Sequence, residues 1–182
     1  MNSSSETTDS TEVRKAVEDV AREVAEVSGT RANRTGGSFE QFVENALKQR
    51  GYVEFWDHKE QVFANRASIG GKQFAKQVVI GTTIYGTKRR CDFLVLNREK
   101  FPDGLVIECK WQESGGSVDE KYPFLLFNIA KIGVPTVVLL DGGGYKPMAM
   151  EWLKSQADSN RALIAVWNMT EFHREVNKGF LG

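Results

Sequence analysis

The sequence predicts one α/β domain in which a mixed β-sheet is flanked by helices. Three observations carry that expectation. Two β-branched and aromatic runs, 73–85 (QFAKQVVIGTTIY) and 90–97 (RCDFLVLN), are joined by GTKR and read as a hairpin. From residue 104 onward, strand-like and helix-like segments alternate. One of those strands, VPTVVLL at 134–140, is wholly apolar, the pattern of a strand buried on both faces. At 182 residues the chain has room for one domain with a substantial core, and not for two large ones.

Taken in order, residues 1–11 are rich in Ser, Thr and Glu, a composition that predicts disorder. Val13, Val17, Val20, Val24 and Val27 recur with gaps of four, three, four and three. That seam belongs to a helix that either pairs with another helix or packs on its own domain. GTRANRTGG at 29–37 reads as a linker, dividing the chain into an N-terminal segment, 1–37, and a main domain, 38–182. Ser38 with Gln41 three residues on is a capping-box pattern. The helix it opens places Phe39, Phe42, Val43, Ala46 and Leu47 on one face and stops at Gly51. YVEFW at 52–56 is strand-like, whereas 57–72 shows no clear element and reads as loop.

After the hairpin, REKFPDG is a second turn and GLVIECKWQ (104–112) the next strand. ESGGS is a loop, and YPFLLFNIAKI (122–132) a buried helix with Pro123 in its first turn. A start at Ser117, with Glu120 as box partner, is the alternative and would force the proline to kink the helix. VPTVVLL then leads through a tight turn, DGGGYK, to a helix at about 147–157. The strand LIAVWN (163–168) and the helix TEFHREVNK, ended by Gly179, close the order α, β, β, β, α, β, α, β, α. Trp56, Trp111, Trp152 and Trp167 are expected in or near the core.

Composition excludes several classes. The net charge is zero, which argues against a strongly basic nucleic-acid coat protein. Residues 1–30 carry seven acids and three bases, so the remainder holds a modest positive excess. Two cysteines, Cys91 and Cys109, make neither a disulfide framework nor zinc-ligand spacing, and point to a reducing compartment. The polar, acidic start is not a signal peptide, and no run approaches the roughly 18 apolar residues of a membrane span. A cytoplasmic protein without membrane contact is expected. His58 and His173 are too few and isolated for histidine-based hydrolysis, and IYG at 84–86 lacks the partner of a GIY-YIG nuclease.

The chemistry concentrates in GLVIECKWQ. Alternate strand residues share a face, so Glu108, Lys110 and Gln112 line one side and Ile107, Cys109 and Trp111 the other. Buried charges need partners. An antiparallel neighbour brings Asp92, near the start of RCDFLVLN, beside the Glu108–Lys110 end. Two carboxylates and an ammonium at a sheet rim suit metal-assisted phosphodiester cleavage. Mg²⁺ takes oxygen ligands, often only one or two protein carboxylates. It polarises the phosphate, while a lysine neutralises transition-state charge. Alone, an E-x-K in a strand is common and reads first as a surface ion pair worth little.

Asp92 followed by Glu108-Cys109-Lys110 resembles the PD-(D/E)XK nuclease signature of restriction-endonuclease-like proteins. The order αβββαβ after the leading helix matches that family's core, over residues 38–168. ECKWQ, the following SGGSVDEKYPFLLFNI and VVLLDGGGYK look similar to a group of small type II restriction endonucleases. The family's proline is missing, since Cys91 precedes Asp92. The resemblance implies Asp92, Glu108 and the carbonyl of Cys109 as metal ligands, and Lys110 as the catalytic lysine. Glu40 matches a helix acid and Gln112 a polar residue beyond the lysine in some members. It further implies Mg²⁺, with Mn²⁺ as a substitute, double-stranded DNA as substrate, and a homodimer. Junction-resolving, repair or homing nucleases share this chemistry, and a DNA-binding module that has lost activity is the alternative from another class.

Residues 72–90 contain no acid, and Lys72, Lys76, Lys88, Arg89 and Arg90 form an expected positive strip toward Asp92. Its plainer reading is a solvated edge strand. In the loop after the charged strand, Ser117 and Lys121 are candidate DNA contacts, beside Gly115 and Gly116, which permit close backbone approach. Tyr145 and Lys146 are further candidates in DGGGYK, which lacks a P-loop ending.

Overall fold

The computed structural model describes residues 37–55, 59–113, 115 and 119–182. The acidic start, the valine seam, most of the linker, Trp56, His58 and Ser117 lie outside them. Six strands form one sheet in the sequential order β1-β2-β3-β4-β5-β6. These are β1 Val53–Glu54, β2 Gln73–Thr82, β3 Lys88–Asn97, β4 Phe101–Trp111, β5 Thr136–Asp141 and β6 Leu163–Trp167. β2, β3 and β4 are antiparallel neighbours; β1 joins β2, and β5 and β6 join β4, in parallel. The expected mixed sheet is therefore present, with helices on both faces.

The leading helix, α1 (37–49), is already formed at Gly37. Ser38 thus lies inside it rather than capping it, and the expected linker ends before 37. Its apolar stripe buries Phe39, Val43, Ala46 and Leu47. Gly51, at φ +82°, then ends it: Tyr52 N–H donates to Leu47 O and Gly51 N–H to Lys48 O, a Schellman closure. α1 packs with α5 (Met169–Asn177) over Phe74, Phe93, Val95, Leu105, Ile107, Val137 and Leu139. The other face carries α3 (Tyr122–Ile132) and α4 (Pro147–Ser155) over Val138, Leu140 and Val166. A separate patch of that face, beneath α2 (Lys59–Val62), buries Val62 with Ala75, Val78, Leu94 and Val106. Val137 and Leu139 thus face one core and Val138 and Leu140 the other, as the apolar run predicts.

Several expectations are corrected. The stretch 57–72 is not all loop: α2 and a 3-10 turn, Arg66–Ser68, lie within it. Too short to show periodicity, α2 is marked only by Val62 in the core. The turn after β3 is confined to 98–100, and Phe101-Pro102-Asp103-Gly104 begin β4. Pairing jumps from Asn97↔Phe101 to Val95↔Leu105, so a bulge with Gly104 at φ +81° absorbs residues that otherwise read as turn. Trp152 is exposed, at 42%, rather than near-core. α3 starts late, with Pro123 in its first turn. Among the described residues no helix is long and apolar enough to cross a membrane.

Candidate active site

The site forms where β3 and β4 part. Their pairing runs from Asn97↔Phe101 to Phe93↔Ile107. Two residues beyond Ile107, the Cys109 N–H donates not to β3 backbone but to the Asp92 carboxylate, Oδ2, at 2.8 Å. Asp92 thus closes the ladder with its side chain, which explains its position in backbone terms: an orphaned amide in a sheet is costly.

β2 and β3 turn over together at this point. Ala75 and Val78, three residues apart, share one core, as do Cys91 and Leu94 on β3. In a regular strand, residues three apart lie on opposite faces. The reversal falls on Gln77, between the pairs Lys76↔Phe93 and Val78↔Cys91. Gln77, at φ +55°, is the one non-glycine with positive φ among the described residues, and its Nε2 donates to Asp92 Oδ1 at 3.3 Å. Such backbone strain gathers at functional sites.

Around Asp92 the charges interlock. Lys110 Nζ lies 2.9 Å from Glu108 Oε2, 3.4 Å from Asp92 Oδ2 and 3.4 Å from Cys109 O. Glu108, only 3% exposed, also accepts from Arg89 Nη2 through Oε1 at 2.8 Å. Burial alone would depress the Lys110 pKa, but the Glu108 and Asp92 carboxylates reverse this and raise it, so Lys110 stays charged. Glu40, on α1, is shifted up by burial and then by the Asp92 charge, with Lys110 and Lys76 pulling the other way. It therefore belongs to the same electrostatic neighbourhood. Burial drives the Cys109 thiol well above its ordinary value, which keeps it neutral and a poor ligand beside its own carbonyl.

Whether these groups suit a divalent ion can be tested on the ammonium of Lys110. The oxygens surrounding it belong to Asp92, Glu108 and Cys109, so a cation already sits where three hard donors converge. Among the described residues no three His, Cys, Asp or Glu side chains are grouped to hold a metal by themselves. An ion here would rest on two carboxylates and a main-chain carbonyl, a set that fits Mg²⁺ and leaves positions for water and phosphate.

Other candidates are placed differently. Gln112 is 4% exposed; its Nε2 donates to Gly144 O and its Oε1 accepts from Tyr122 OH, tying β4 to the β5–α4 turn. A Cβ on Gly142 would stand 2.4 Å from Gln112 O, and its φ is +105°, so the glycine permits this approach. The strip 72–90 is dispersed. Lys72 donates to Arg50 O and the C-terminal Gly182 O, and Lys76 pairs with Glu44 and Glu54. Arg89 is inside the acid cluster, while Lys88 and Arg90 remain exposed. Lys121 is exposed and Tyr145 half-buried against the α3–α4 core; Lys146 reaches Asp119 at 3.5 Å. Arg89 as a partner of Glu108, and Gln77 as a partner of Asp92, were not legible: nothing in the sequence marks a strand reversal at a glutamine.

A family model described as a PD-(D/E)XK nuclease superfamily domain matches residues 31–180. No curated protein and no solved structure matches.

Proposed function

The chain belongs to the PD-(D/E)XK nuclease superfamily, and from that premise we propose that it is a Mg²⁺-dependent endonuclease hydrolysing DNA phosphodiesters at specific sites, in the manner of a type II restriction enzyme. The observation that carries this reading is the convergence of Asp92, Glu108 and Cys109 oxygens on the Lys110 ammonium. Asp92, Glu108 and the Cys109 carbonyl would hold the ion, which supplies Lewis-acid polarisation of the phosphate. Mn²⁺, with the same preference for oxygen donors, would substitute.

The chain's own groups do the rest. Lys110, held at the rim by Asp92 and Glu108, would present its ammonium to the scissile phosphate and stabilise charge developing there. Glu40, on α1 and within the electrostatic reach of Asp92 and Lys110, would orient a water. Asp92, fixed by the Cys109 amide and by Gln77, keeps its geometry without help from the ligand. Exposed Lys88 and Arg90 would meet the phosphate backbone, and Tyr85, 77% exposed at the hairpin tip and stacked 5.1 Å from Phe124, would be a further nucleic-acid contact. Cutting both strands of a duplex requires two such sites, hence a homodimer.

The test is digestion of a supercoiled plasmid in Mg²⁺, in EDTA, and by Lys110→Met protein. Metal-dependent linear products that Lys110→Met fails to make are expected. Cleavage unaffected by EDTA or by the substitution would end the reading. Preference for a four-way junction over linear DNA would move the enzyme to the structure-specific class.

A further inference from the structure

Arg89 is the one member of the acid cluster whose bonding is incomplete. Its side chain is 10% exposed, and Nη2 donates to Glu108 Oε1. Its Nε, also buried, has no hydrogen-bond partner among the described residues. Nε and Nη2 lie on one edge of the guanidinium and donate in parallel, the edge that accepts two oxygens of a carboxylate or phosphate side by side. Glu108 gives that edge a single oxygen because its other one is held by Lys110. Half of a bidentate fork is thus left open, at a cost that a buried donor does not bear without reason.

Two cations, Arg89 and Lys110, therefore compensate Glu108. An ion held by Glu108 would compete for the one carboxylate oxygen that Arg89 engages among the described residues, and would leave the buried, charged fork in need of an oxyanion. The proposed substrate supplies one, because a phosphodiester offers two non-bridging oxygens.

We infer that Arg89 couples ion entry to nucleic-acid binding: it is the counter-ion of Glu108 in the resting site and a bidentate phosphate clamp once an ion has taken Glu108. This rests on the metal-dependent reading above and adds to it an order of events. The resting site disfavours the ion, and the phosphate backbone relieves that penalty by receiving Arg89. Arg89 is a positioning residue in the first state and a substrate ligand in the second.

The test is calorimetric titration of Ca²⁺, a hard ion that seeks oxygen ligands, into the full-length chain with and without a mixed-sequence DNA duplex. For the wild type, duplex should tighten Ca²⁺ binding about tenfold, an ordinary coupling between two ligands. Arg89→Met should bind Ca²⁺ alone about tenfold more tightly than the wild type, and duplex should then add little, since both halves of one linkage vanish together. Ca²⁺ binding by the wild type that ignores the duplex, or binding by Arg89→Met that is no tighter, overturns the inference. Should Arg89→Met fail to fold by circular dichroism, Arg89→Lys, which keeps the charge but not the fork, takes its place: most of the duplex effect should be lost, and a duplex effect equal to the wild type's overturns the inference. Asp92→Asn separates the two levels. Loss of Ca²⁺ binding in that variant preserves the metal reading whatever Arg89 does, whereas undiminished binding removes the metal reading itself.

Discussion

Two charged clusters in this protein invite comparison, one at the start of α5 and one where β3 and β4 part. At α5, Glu171 receives Lys154 on both oxygens, at 2.8 and 3.1 Å, and the Asn168 N–H at 2.9 Å. Asn168 returns the favour by accepting the Glu171 N–H at 2.7 Å, completing a capping box. Each group there closes a helix end, and the fold is the beneficiary. At the strand rim the arrangement is less settled. Two carboxylates crowd one ammonium, a guanidinium donor is unmet, and a non-glycine backbone is held left-handed. Saturated charge clusters serve folding. The rim cluster, short of a partner for Arg89 Nε among the described residues, suits the proposed ion and phosphate.

That contrast can be broken by substitution. The largest effect is expected for Lys110→Met, which should lower plasmid cleavage about 100-fold or more, the scale of removing one donor that stabilises a transition state. Its urea midpoint should move little. A variant that unfolds in step with its loss of cleavage would show the rim to be structural after all. Next comes Glu171→Ala, expected to cost about 1 kcal/mol in urea unfolding, as cap losses do, with cleavage per folded molecule unchanged. Burial opposes its charge, but Lys154 and the Asn168 amide outweigh this and hold the Glu171 carboxyl below its ordinary 4.5. Its contribution is therefore present above that value and fades as pH falls through the lower folded pKa. The difference between Glu171→Gln and wild type should shrink on acidification in the same window.

The smallest effect sharpens the comparison most. Burial and Asp92 raise the Glu40 pKa, so its neutral form is favoured by folding and its charge costs stability at neutral pH. Glu40→Gln should unfold at a slightly higher temperature than wild type at pH 7, and the gain should disappear as pH falls toward 4.5. The same variant should cleave more slowly. A carboxylate that weakens the fold while aiding the reaction is the mark of the second kind of cluster; unchanged cleavage would return Glu40 to the first.

How much of this was legible in the chain varies with the distance over which it is determined. ECK at the end of an apolar strand, with Asp92 on its neighbour, needed only alternation and a hairpin, and the structure brings those residues together. The helix stripes and the doubly buried VPTVVLL followed from local periodicity. FPDG did not, because proline and glycine signal a turn unless a bulge takes them into the strand, and the bulge is settled by pairing with 95–97. Lys72 reads as a phosphate contact until Gly182, remote in sequence, claims it. Arg89 reads as one more base in a strip until the reversal at Gln77 and Asp92 brings it to Glu108. Bases that look alike in a run are sorted by partners the run does not contain.

The way Asp92 replaces the β3–β4 ladder bears on how inactive alleles of this gene should be interpreted. Alanine at 92 would delete the proposed ion ligand and simultaneously strand the Cys109 amide, so an inactive variant could owe its loss to either change. Asparagine keeps an acceptor for the amide while discarding the negative charge. The proposed chemistry and the scaffold share one oxygen at this position, and the isosteric exchange tells them apart.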